Sequence, residues 1–219
     1  MAGGPLGEVL ELVLAASVMA LVGLSLFLEV KAVLGLGLGD LIAICLAVFL
    51  AHELAHKLCA RHLASGGRFK FTIAGSLITL LAAGVQNLIG IYCCGLEVAL
   101  ATGTMPYRIV PYRFLATGTV VVRGRHRKEV LGSIALAGPV TSLGLGWLSF
   151  LLARVLRACY VLLMVFSALA AYMAFTALMP LAFCDGLPIY WWSRRAWATA
   201  LTLAVSLMVM SNVTLYLGL

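Results

Sequence analysis

The chain has 219 residues, of which 63% are hydrophobic and 11% charged, and its mean hydropathy is +1.11. That composition excludes an ordinary water-exposed globular domain and predicts an all-α polytopic membrane protein. The formal net charge of +7 would suggest nucleic acid in a soluble protein. Here the basic residues gather in loops between apolar runs, where they set topology, so no nucleic-acid partner is expected.

A membrane span takes about 20 apolar residues. Val9 to Val30 supplies the first, with Glu11 and Glu29 near its ends, and the absence of a basic segment ahead of it predicts a retained helix. Lys31 to Gly39 is a Gly-rich link, and Asp40 is a candidate N-cap for a second span running to about His62. Arg61, His62, Arg68 and Lys70 then mark a water interface.

Phe71 to Thr102 is apolar but broken by four glycines, and it carries Gln86, Asn87 and Glu97. It reads either as a membrane-dipping hairpin of two short helices or as one irregular span. Basic residues on both sides of it should share one face of the membrane, which favours the hairpin. Between Met105 and Arg127, two prolines and the run Gly118-Thr119-Val120-Val121-Val122 predict a short surface strand or hairpin.

A third span runs from near Glu129 to about Leu152 with Gly138-Pro139 inside it, and a fourth from about Cys159 to Met179, stopped by Pro180. Ala196 to Leu217 is the last. The expected fold is thus a single domain over 1–219. It has about five full transmembrane helices, with a membrane-dipping hairpin and a short β element between the second and third. With the N-terminus inside, twelve Lys and Arg lie on the cytoplasmic side against three (31, 154, 157) outside. That orientation implies an integral protein of the cell membrane.

The second span contains His52-Glu53-Leu54-Ala55-His56, an HExxH run. On a helix its histidines share one face and can bind one metal ion, with Glu53 beside it as general base. Such a zinc site takes a third protein ligand and keeps the fourth position for water. Candidates are Asp185, Glu97, Glu129, Cys59 and Cys184. His52 and His56 lie about 18 Å from the outer end of their helix at ~1.5 Å per residue. Asp185, which has no Lys or Arg within helical reach, falls at a similar depth, and an ionisable group there is functional by default. Asp185 is the preferred ligand. Cys59 and Cys184 read as buried thiols and His62 and His126 as solvated side chains. The six cysteines show no CxxC spacing, which argues against a disulfide framework or a cysteine zinc knuckle.

The HELAH run, Ala137-Gly138-Pro139-Val140-Thr141-Ser142 and Met179-Pro180-Leu181-Ala182-Phe183-Cys184-Asp185-Gly186 together resemble the site-2 protease family of intramembrane zinc metalloproteases, over roughly 40–197. The resemblance implies one Zn2+ per chain on His52, His56 and Asp185, Glu53 as catalytic base, and Gly138, Pro139, Pro180 and Gly186 as motif residues. It also implies cleavage within or next to a transmembrane segment of a partner protein. Two asparagines of the family's motifs fall on Ala177 and Ser142, so the substrate or oxyanion role passes to Ser142 itself or to Asn87 (or Gln86). The connection between the second and third spans, about 65 residues and mostly apolar, predicts no PDZ domain. The alternative is a catalytically impaired metal-binding pseudo-protease or a metal carrier. Another kind of membrane zincin would use Glu97 or Glu129 in place of Asp185.

Overall fold

A computed structural model of the chain describes residues 5–64, 66–89, 110, 112–122 and 126–217. Its helices are α1 (Pro5–Leu34), α2 (Leu38–Leu63), α3 (Ile73–Ile89), α4 (Lys128–Val155), α5 (Tyr160–Ala177), α6 (Gly186–Trp192) and α7 (Arg194–Leu217). Its strands are β1 (Gly67–Phe71) and β2 (Gly118–Val122). Five of these helices, all but α3 and α6, are long and apolar enough to cross a membrane. The chain is a mainly helical polytopic membrane protein with a small two-stranded sheet.

The helices follow the apolar runs, with local differences at their ends. Gly37, not Asp40, is the N-cap of α2; Asp40 stands three residues later and its Oδ2 accepts the Gly37 N–H at 3.0 Å. A carboxylate in the first turn serves an unpaired amide as well from that position as from the cap itself. α4 continues unbroken through Pro139. Small residues set the packing: a Cβ on Gly23 of α1 would stand 2.9 Å from Ile42 Cα on α2, and one on Gly146 of α4 would stand 2.6 Å from Leu207 of α7. α5 is the innermost helix, burying Ala168, Ala170, Ala171 and Ala174, and Ser167 on it meets Ser211 of α7 at 2.8 Å.

Between the second and third spans the outcome differs from the simple interface expected. Arg68 and Lys70 lie on β1, which the chain enters through Gly66 at φ +114°. β1 pairs antiparallel with β2, Phe69 opposite Val120. The expected strand at Gly118 to Val122 is therefore present, but its partner comes from fifty residues earlier in the chain. α3 accounts for the first part of the apolar 71–102 stretch and is too short to cross a bilayer upright. The rest of that stretch, Glu97 included, lies outside the described residues.

The segment leading into β2 was expected at the surface and is instead buried. Val110, Leu115, Ala116 and Thr117 are inaccessible or nearly so, and Arg113, counted above among the cytoplasmic loop charges, has no exposed surface. Buried backbone outside a helix or strand needs partners, and this backbone has them. Asn212 of α7 accepts the Val110 N–H at 3.0 Å, Tyr172 donates to the Val110 carbonyl, and Tyr112 bonds Thr176 at 3.1 Å.

Candidate metal centre

The centre is built where α2 crosses α4 antiparallel. His52 and His56, one turn apart on α2, face Ser142, Gly138 and Ile134, each one turn apart on α4. His56 Nδ1 donates to the Ile134 carbonyl at 2.7 Å, and His52 Nδ1 meets Ser142 Oγ at 2.9 Å. A carbonyl can only accept, so His56 carries its proton on Nδ1 and, as a neutral ring, turns a lone pair outward on Nε2. Both Nε2 atoms then converge, 3.1 Å apart, on the face of Gly138. A Cβ on Gly138 would overlap His56 Nε2 and stand 2.6 Å from His52 Nε2. No side chain larger than hydrogen fits there.

The third group arrives from the turn between α5 and α6. α5 ends at Ala177 and Pro180 blocks its continuation. The chain folds back so tightly that a Cβ on Gly186 would overlap the Leu178 carbonyl, which also accepts a hydrogen bond from Trp197 Nε1 at 2.8 Å. This turn aims Asp185 inward, and its Oδ2 lies 3.4 Å from His52 Nε2 and 3.1 Å from His56 Nε2.

Three donor atoms with edges of 3.1, 3.1 and 3.4 Å form one face of a tetrahedron. Ligand atoms around a tetrahedral metal with bonds of about 2.0–2.1 Å stand about 3.3 Å apart, so two imidazoles and a carboxylate at this spacing can hold a metal ion. The Nδ1 bonds to Ser142 and Ile134 are the outer partners that metal-binding histidines require to fix ring and tautomer.

Glu53 sits between this group and the sheet, 7% exposed, and its Oε2 has no hydrogen-bond partner among the described residues. An unmet buried acceptor costs about 1–3 kcal/mol. The Glu53 carboxylate lines a cleft between α1, α2 and the sheet, with Leu12, Leu50, Phe69 and Val120. A separate cleft reaches His56 and Asp185 along Thr119, Val120 and Val122 of β2 on one side and Ile134, Ala135 and Pro188 on the other.

Of the residues singled out in the sequence, His52, His56 and Asp185 come together, Gly138 lies against both histidines with Pro139 next to it on α4, and Pro180 and Gly186 belong to the turn that carries Asp185. Ser142 is engaged with His52. Asn87 lies near the end of α3, outside the residues whose side chains are described. Cys59 points its thiol at the Ser133 carbonyl, 3.8 Å away. Cys184 is buried, and its thiol is not among the ligand atoms that converge with those of His52, His56 and Asp185. Glu129 and His62 are exposed. The residues missed in the sequence were Ile134, whose carbonyl no side-chain pattern reveals, and Trp197. The spacing of 134, 138 and 142 by fours was the available signal.

Gly138→Ala is expected to abolish metal binding while leaving the helical circular dichroism intact. Ser142→Ala is expected to weaken metal affinity about 10–100-fold, the usual effect of losing an outer partner. Titration of both purified variants with metal checks this, and wild-type affinity in Gly138→Ala would contradict the geometry.

In comparisons with known proteins the chain matches no family model, no curated protein and no solved structure, so its functional reading rests on the residues and distances above.

Proposed function

We propose that the chain is an intramembrane zinc endopeptidase that hydrolyses peptide bonds within or next to transmembrane segments, as its resemblance to site-2 proteases implies. The observation that carries the reading is the triangle of His52, His56 and Asp185 with the buried carboxylate of Glu53 beside it, whose Oε2 has no partner among the described residues. Two imidazoles and a carboxylate form the donor set of catalytic zinc sites that keep one position open. Zinc held there supplies Lewis acidity toward the scissile carbonyl and toward water. Glu53 takes the proton from the attacking water and returns it to the leaving amine nitrogen. His52 and His56 are held rigid by Ser142 and Ile134 during both transfers.

A helical substrate hides its scissile amide in its own hydrogen bonds and must be drawn out to be cut. The open edge of β2 suits that task. The N–H groups of Phe69 and Phe71 are accepted by side chains of α1, so these residues face away from β2 and the alternate residues make the ladder. By register, Gly118, Val120 and Val122 then turn their N–H and C=O away from β1, and these groups have no hydrogen-bond partner among the described residues. Val120 and Val122 line the cleft that leads to His56 and Asp185. An extended segment pairing with this edge would lie alongside the metal centre. The count of basic residues puts the N-terminus and the site toward the cytoplasmic side, with the lipid bilayer around the bundle.

A second reading, a pseudo-protease or carrier that holds metal without catalysis, draws on the side chain at 142. It is spent on His52, which leaves no amide donor at a position where the resembling family has one. The unpartnered Glu53 weighs the other way, since a merely structural site has no use for it.

Glu53→Gln is expected to keep one metal per chain while lowering cleavage of a model transmembrane substrate about 10²–10⁴-fold; near-wild-type cleavage would favour another base and sink this mechanism. Val120→Pro removes only an outward N–H and spares the ladder to β1. It is expected to raise KM for an extended substrate, and an unchanged KM would remove edge pairing from the account.

A further inference from the structure

The two edges of the sheet are treated differently, and the groups that close one of them come from α1. Phe69 N–H donates to Glu8 Oε1 at 3.2 Å and Phe71 N–H to Glu11 Oε2 at 2.9 Å. Two carboxylates thus stand where the carbonyls of a third strand would stand. Glu8 and Glu11 are three residues apart on the helix and share a face, while Phe69 and Phe71 are two apart on the strand and share an edge, so the two spacings match.

Each carboxylate also holds a cation. Glu8 Oε1 accepts from Lys57 Nζ at 2.8 Å, and Glu11 Oε1 from Arg68 at 2.8 Å. Lys57 is the residue after His56, so Glu8 ties the β1 edge directly to the metal-bearing turn of α2. The two carboxylates are 22% and 27% exposed, at the start of a helix apolar enough to cross a membrane, where ionised groups are costly unless paired. Anchoring α1 by charge would need only the two cations. The bonds to consecutive outward amides are additional, and they are of the stronger charge-assisted kind.

We propose that Glu8 and Glu11 are positioning residues for substrate binding. By closing the β1 edge from α1 and tying it to Lys57, they hold β2 at a fixed distance from the metal centre and leave its outer edge as the open strand edge among the described residues where an extended segment can pair. This inference rests on the edge-pairing reading above and adds its determinants.

The test uses the full chain carrying Glu53→Gln in detergent, so that binding of a fluorescent apolar peptide is read without hydrolysis. Glu8→Leu and Glu11→Leu are expected to speed amide hydrogen exchange at Phe69 and Phe71, to leave metal content unchanged, and to weaken the peptide Kd about tenfold each, the scale of one charge-assisted hydrogen bond. Glu8→Gln and Glu11→Gln, whose amide oxygens still accept from the strand, are expected to recover most of that affinity. Unchanged Kd in the leucine variants, glutamine variants as weak as the leucine ones, or loss of metal in either would overturn the proposal. A footprint on the Glu53→Gln parent covers the case in which the leucine variants do not fold. There the bound peptide must slow exchange at Val120 and Val122 and not at Phe69 or Phe71, and the reverse pattern overturns the proposal. Failure of the wild-type chain to cleave any peptide would sink the proposed activity while leaving this outcome to stand or fall by itself.

Discussion

The close approach of α2 to α4 at Gly138 is the constraint on which the rest of the site depends. Two antiparallel helices meet there with the same four-residue spacing, so that Ser142 takes His52 and Ile134 takes His56, while Gly138 leaves room for both Nε2 atoms. Once those rings are fixed by their Nδ1 atoms, their free nitrogens have one direction left, and it points at Asp185. The turn that brings Asp185 in is fixed by the same device, a glycine set hard against a carbonyl, at Gly186 and Leu178. Glycine contributes here by what it lacks.

A bilayer raises the cost of every polar group that has no partner, and the described residues meet that cost in layers. Tyr172 and Asn212 satisfy the buried backbone of Val110, Ser167 pairs with Ser211, and Glu8 and Glu11 satisfy the edge of β1. Among the described residues Glu53 Oε2, Thr117 Oγ1 and Trp147 Nε1 are buried without a hydrogen-bond partner, and the outer edge of β2 is left unpaired. Of these, Glu53 and the β2 edge lie beside the candidate metal centre.

Much of this was legible in the sequence because hydropathy and helical periodicity report directly on spans and faces. The five long helices follow from apolar runs, and His52, Glu53 and His56 from the spacing of one helix turn. Asp185 was reachable by depth, since one unpaired acid inside an apolar chain has few other uses. The sheet was only half legible. The valines of β2 announce a strand, whereas Gly67–Phe71 is five residues long and alternates Arg and Lys with Phe, a pattern that reads equally as a membrane boundary. Its edge is completed by glutamates sixty residues earlier, and no local rule connects them. Burial of Arg113 was hidden as well, since a basic residue between apolar runs reads as a loop charge.

The account stands or falls on one metal held jointly by α2 and the turn before α6. Its most direct test is the metal content of the purified chain beside Asp185→Ala, with both confirmed folded by circular dichroism. The wild type is expected to carry one zinc per chain and the variant close to none. A variant that retained a full equivalent of zinc would show that Asp185 is not a ligand and would contradict the centre described here.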